Sequence, residues 1–183
     1  VPFPFKTVAT AIAFSPYAEA NLHESVRIAK MLDAKLVLVH VGRETPQKVE
    51  QLELLVSQTD IDRDKVTIDF REGDPVRSIL DSCKENKVDL LIAGAMKKEN
   101  LLKFYTGSIA RKLCRKAECS ILLLTDRSVI RNKCKEIVVS GDNHDKTEGT
   151  VRTANYFGKV LGAEHITIID EIDPKTGGNA ADD

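Results

Sequence analysis

Gly94 closes an apolar run, Leu90-Leu91-Ile92-Ala93-Gly94, and 13 residues later Gly107-Ser108 opens an amphipathic stretch that continues through Arg111. Glycine at a strand exit lets main chain come within contact distance of a ligand. The first amides of a helix offer N–H groups and the positive end of the helix dipole, so this pairing is a place to hold phosphate or another anion. Ser108 would add its amide and hydroxyl at the helix start. His40 ends a second apolar run, at the carboxyl edge where open α/β sheets place ligands. It is read as a strand-end histidine with one ring nitrogen satisfied, rather than as a catalytic base.

Other chemistries find little footing. No Gly-x-Ser-x-Gly elbow occurs, and no catalytic residue is assigned. Cys83, Cys114, Cys119 and Cys134 form no Cys-x-x-Cys pair and have no histidine at zinc spacing, which points to reduced thiols and no metal site. Cys114 stands among Arg111, Lys112, Arg115 and Lys116, but its spacing with Ala110 and Ala117 puts it on or beside a buried helix face. Asp60, Asp62 and Asp64 alternate as in a calcium loop, yet Lys65 fills the glycine position and the distal glutamate is missing, so they read as a polar connection. His23 reads as solvated, and His144 and His165 have no partner set.

The elements that must position the glycines are legible as alternating patterns. Thr7–Phe14, Lys35–Val41, Val88–Gly94 and Ser120–Thr125 are nearly continuous Val/Ile/Leu runs, the mark of strands covered on both faces. Val66, Ile68 and Phe70 alternate with polar residues, as on a half-covered strand near a sheet edge. Leu22, Val26, Ala29 and Leu32 make one helical stripe, and Val49, Leu52 and Val56 another. Asp74-Pro75 reads as an N-cap and first helical residue. Ile109, Leu113 and Ala117 are the expected inner face of the helix after Ser108. Strand and helix alternate throughout, which predicts right-handed crossovers and a parallel sheet with helices on both faces.

After Thr125 the pattern restarts, with a strand over Glu136–Gly141, a helix over Glu148–Leu161 and a strand over His165–Asp170. Ala29-Lys30-Met31-Leu32 aligns with Gly158-Lys159-Val160-Leu161 at an offset of 129, which implies a tandem duplication whose second copy holds one strand-helix-strand unit. The expected domains are therefore residues 1–127 and 128–183, the second ending in a Gly/Asp-rich loop or disordered tail.

The chain's 183 residues carry 27 Lys+Arg against 28 Asp+Glu, a net charge of -1, with no Trp and three Tyr. Nothing global draws it to nucleic acid or to an anionic membrane, so any phosphate preference must be local. No apolar run approaches the ~20 residues needed to span a bilayer, so no direct membrane insertion is expected. Cysteine usage suits a reducing compartment, and the reading is cytoplasmic, or a cytosolic domain of a membrane protein.

The strand ending in Phe14-Ser15-Pro16, the strand ending in His40-Val41, the Gly73-Asp74-Pro75 helix start and the glycine loop together resemble the universal stress protein family, over roughly the first 125 residues. The resemblance implies an open parallel five-stranded sheet with helices on both faces and the strand order 3-2-1-4-5, dimers paired through the last strand, and adenine nucleotide (ATP or AMP) in some members. The family's Gly-x2-Gly-x9-Gly-Ser/Thr loop matches Gly94, Gly107 and Ser108, while Lys97 takes the second glycine's place. Val41 matches the position whose main chain meets adenine. Ala13 replaces an aspartate that binding members carry near the end of the first strand.

Two expectations follow. One is a non-enzymatic sensor that holds adenine nucleotide through Val41, Gly94, Lys97, Gly107 and Ser108 and signals through a homodimer, intramolecular pairing of the tandem copies, or partner contacts. The other is a nucleotide-independent assembly or regulatory domain, as in a transporter with cytosolic domains of this kind.

Overall fold

The computed structural model describes residues 5–94, 108–124, 134–141, 145 and 147–169. Two compact units divide the chain, one within Pro4–Ile130 and the other taking in Arg131–Asp183.

The larger unit follows the order β1 (Thr7–Ala11), α1 (Ala18–Met31), β2 (Lys35–Val41), α2 (Pro46–Ser57), β3 (Val66–Arg71), α3 (Pro75–Glu85), β4 (Leu90–Gly94), α4 (Ser108–Lys116) and β5 (Ser120–Leu124). All neighbouring strands pair in parallel, in the order β3-β2-β1-β4-β5. Strand β2 is apolar throughout because both its faces are covered. Val37 and Val39 point to a core with Val76, Ile79, Cys83, Leu91 and Leu113, the side on which α3 and α4 pack together. Leu36 and Leu38, fully buried, face the other way, toward α1 and its neighbour α2.

Local chemistry sets the helix starts. Asp74 accepts a hydrogen bond from the Arg77 amide at 2.9 Å, and Thr45 accepts from the Lys48 amide at 3.4 Å, each with proline as the next residue. Both caps satisfy an amide that the helix itself leaves unpaired. At the amino edge, Asp89 joins the two central strands. Its carboxylate accepts from the amides of Lys6 (2.8 Å) and Thr7 (2.9 Å), and its own amide donates to the Thr7 carbonyl at 2.9 Å.

The expected strand Thr7–Phe14 is shorter in the structure. Ile12 still donates to the Val39 carbonyl at 2.9 Å, after which Ala13 and Phe14 leave the ladder to turn toward α1. The inner face of α4 is also rotated from expectation. Ala110 and Leu113 are buried, whereas Ile109 is 44% exposed and Cys114 is exposed, so the reading of Cys114 as a packed thiol is corrected.

Edge strand β3 differs from a half-covered strand with a solvated polar side. Asp69 pairs in register with Val39, which places it under α3. There it accepts from Arg71 Nε (2.7 Å) and Nη2 (2.8 Å), Ser82 Oγ (2.6 Å) and Asn86 Nδ2 (3.2 Å). The carboxylates of the calcium-like stretch have other partners, Asp60 pairing with Lys30 and Asp62 accepting from the Asp64 amide.

In the smaller unit β6 (Glu136–Ser140) pairs in parallel with β7 (His165–Ile169), and α5 (Thr147–Leu161) packs on both. Gly158 is where helix meets strand, since a Cβ there would stand 2.8 Å from Ile166 Cδ1. Main-chain details recur 129 positions apart. Asp33 and Gly162 both take left-handed φ, 49° and 67°. Ala34 donates to the Ala29 carbonyl and Ala163 to that of Gly158, both at 2.8 Å. Lys35 donates to the Lys6 carbonyl at 2.9 Å and Glu164 to that of Lys135 at 3.0 Å.

Candidate functional site

From β1 the chain crosses to β2 and β3 on one side, then returns to place β4 and β5 on the other, so the strand order reverses between β1 and β4. In an open parallel sheet the connections leave this point in opposite directions and open a crevice at the carboxyl edge.

Three structural features meet there. Strand β2 ends at Val41, where the next amide, of Gly42, donates to the Arg71 carbonyl at 2.7 Å. Strand β4 ends at Gly94, which is exposed. Because Thr10 pairs with Ile92 and Ala11 with Val39, Gly94 and Val41 flank the Ile12–Ala13 end of β1 from its two sides. Helix α4 begins at Ser108 and, as the crossover between two parallel strands, runs back from the same edge. Its first turn leaves amides outside the helical ladder. The expected site residues Lys97 and Gly107 lie outside the described residues, as does the Ser108 side chain.

Sequence reasoning missed Asn21. A Cβ on Gly94 would lie 3.1 Å from Asn21 Nδ2 and 3.5 Å from its Oδ1, so the amide of the second turn of α1 stands directly over the glycine. No periodic signal links positions 73 apart; only the parallel sheet brings α1 over the end of β4. The group over Gly94 is thus the tip of one flexible polar side chain, able to donate to a phosphate oxygen. That donor set suits an anion. Ala13 is exposed and supplies no carboxylate at the end of β1.

His40 is structural. Its Nδ1 lies 3.1 Å from the Ile12 carbonyl, an acceptor only, so Nδ1 carries the proton and donates. The ring is 6% exposed and stands between Phe14 (centroids 4.8 Å apart) and Phe70 (5.5 Å, edge-on). It pins the end of β2 to the exit of β1. His23, on α1, lies 3.8 Å from Glu19.

Electrostatics at the β3–α3 junction favour ionised groups. Burial pushes the Asp69 carboxyl up, but the hydrogen bonds from Arg71 and Ser82 outweigh it and hold the group below its ordinary range. Arg71 is held firmly protonated by Glu85 (2.6 Å) and Asp69. On α4, Arg111, Lys112, Arg115 and Lys116 are exposed, a basic face beside the crossover.

This fold defines an open parallel α/β domain whose strand order reverses between β1 and β4. Residues 43–125 match the model of the universal stress protein family. Among curated relatives, the stress response protein NhaX of Bacillus subtilis (strain 168) is 26% identical over 80 residues, 44% of this chain. The chain spans 46% of that protein's length. The universal stress protein YxiE of the same organism is 26% identical over 147 residues, covering 66% of this chain and 99% of that one. A solved universal stress protein in complex with cAMP shares the fold at TM-score 0.54 and 17% identity, covering 67% of this chain and 98% of the other. Among the described residues, no helix is long and apolar enough to cross a membrane.

Proposed function

We propose that the larger unit is a non-enzymatic sensor of adenine nucleotide, ATP or AMP. The nucleotide lies over the carboxyl ends of β1 and β4, with adenine beside the main chain of Val41 and phosphates toward Gly94, Lys97, Gly107 and Ser108. The observation that carries this reading is the exposed Gly94 at the switch point with the Asn21 amide above it, on the edge from which α4 departs. A protein of the same fold is solved with cAMP, which supports the ligand class. With alanine at position 13 the ribose hydroxyls have no carboxylate acceptor at the end of β1, so ATP and 2′-deoxy-ATP bind alike. Titration calorimetry with ATP, AMP and 2′-deoxy-ATP tests this. Saturable heat below millimolar ligand, lost in Gly94→Val, is expected; no heat at millimolar ligand in the intact chain refutes it.

The recurrence of main-chain geometry at an offset of 129 supports the smaller unit as a partial second copy of the first strand-helix-strand unit. It also favours a second reading, a nucleotide-independent assembly domain of a soluble cytoplasmic protein or of a membrane protein's cytosolic part. Val138 and Ile169, which register puts on one face of the β6–β7 pair, are each more than half exposed, an aliphatic surface suited to homodimerisation or to pairing of the tandem copies. A dilution series by light scattering that shows only monomer refutes self-association.

A further inference from the structure

Cys83 and Cys119 are the pair that nucleotide binding leaves unused. Cys83 lies on the inner face of α3, 6% exposed, among Val76, Ile79, Val88, Leu91 and Leu113. Cys119, just before β5, packs against the same cluster but keeps a partly exposed surface. Main-chain hydrogen bonds bring the two segments together, the Val88 amide donating to the Cys83 carbonyl at 2.8 Å and the Ser120 amide to the Asp89 carbonyl at 3.1 Å, and each thiol shifts the titration of the other. Two thiols packed on one cluster from adjoining segments can close to the ~2.05 Å of an S–S bond.

We infer that Cys119 and Cys83 form a peroxide-reactive dithiol, Cys119 the attacking sulfur and Cys83 the resolving one, which oxidises to an intrachain disulfide. The Cys119 thiol releases its proton to water and the thiolate attacks the terminal oxygen of a hydroperoxide; the O–O bond breaks, the departing alkoxide takes a proton from water and leaves as an alcohol (water, from hydrogen peroxide), and Cys119 becomes a sulfenic acid. Cys83 then attacks that sulfur as its thiol proton passes to the departing hydroxide. The S–O bond breaks, the S–S bond forms and one water leaves. Two thiols are oxidised by two electrons and one peroxide is reduced. The assignment of roles follows exposure, since a peroxide reaches the Cys119 sulfur while Cys83 waits behind it. It also follows charge, because the Cys83 hydrogen bond brings the Cys119 thiol down to about 7 and pushes Cys83 up. Cys114, exposed, and Cys134, partly exposed, serve as internal controls. The bond would close a loop that holds β4 and α4, tying α3 to the entry of β5.

The test uses the whole chain carrying Cys114→Ser and Cys134→Ser, both away from the packed core. Stoichiometric hydrogen peroxide should remove both remaining thiols. Non-reducing peptide mass spectrometry should join the Cys83 and Cys119 peptides with loss of two hydrogens, and dithiothreitol should reverse it. The rate should rise about tenfold between pH 6 and 8, against well over 50-fold for an ordinary thiol of pKa about 8.5. In the unsubstituted chain Cys119 should react before Cys114. Preferential oxidation of Cys114 or Cys134, intermolecular disulfides only, or Cys119 passing to sulfinic acid with Cys83 still reduced would each overturn the assignment. If Cys83→Ser folds, it should trap Cys119 as a sulfenic acid that dimedone labels; absence of label there also overturns it.

Discussion

Replacing Asp69 with alanine tests whether the polar cluster under α3 holds the edge of the sheet. The carboxylate side chain is 14% exposed and its Arg71 partner 24%, so solvent screens the pair only partly. The substitution deletes a bidentate ion pair and the acceptor of Ser82 Oγ, a side chain buried completely. Hydrogen bonds to charged groups contribute about 1.5–3 kcal/mol each, and breaking a fully buried pair costs about 3–5 kcal/mol. Arg71 keeps Glu85 and Ser82 keeps a longer contact to Asn86, so the expected loss is about 2–3 kcal/mol. For a unit of this size that lowers Tm by about 10 °C. Asp69→Asn, which preserves an acceptor for Ser82, should lose about half as much. The carboxyl is held below its ordinary value, so its contribution is complete above about pH 4 and disappears as pH falls through the lowered folded value. Urea unfolding followed by circular dichroism at pH 7 and pH 2.5 reads both effects. A deficit under about 0.5 kcal/mol at pH 7, or one equally large at pH 2.5, refutes the reasoning. Because the Arg71 carbonyl accepts the Gly42 amide, faster hydrogen exchange at Gly42 should accompany the loss.

Leu113→Ala, which empties a 1% exposed position in the core under α4, should cost about 3–4 kcal/mol by urea unfolding. Asp74→Ala removes the acceptor of the Arg77 amide and should cost about 1 kcal/mol, with Asp74→Ser recovering most of it in the same assay. Gly158→Val puts bulk where α5 meets Ile166 and should loosen the smaller unit, seen as faster hydrogen exchange in β6 and β7 while β1 to β5 stay protected.

The five strands were legible because both faces of the sheet are covered, which leaves β2 without a single solvent-facing alternation. The Asp74 cap was equally legible, since Asp74-Pro75 specifies its role locally, whereas the Thr45 cap was not read. Face assignments were less so. On α4, with four cations in nine residues, the periodicity fits Ile109 or Ala110 inward almost equally, and packing beside Leu113 selects Ala110. Polar residues under α3 escaped notice because Asp69 alternates with apolar neighbours as a solvated residue would. At the site, Gly94 and Val41 could be read as strand exits, whereas Asn21 over Gly94 and Cys119 against Cys83 are long-range contacts that no local pattern encodes.

The bracing of β1 and β4 by Asp89 bears on the route by which the domain assembles. Strand partners β1–β2, β2–β3 and β4–β5 are each about 30 residues apart in register, but Val8 meets Leu90 only after 82 residues. Closing that larger loop costs about 1 kcal/mol more in chain entropy, so the halves β1–β3 and β4–β5 can each gather before they join. The crevice does not exist until that last seam is sewn. A ligand seated there would act as a rivet across two folding half-sheets, lengthening the native lifetime more than it speeds the search.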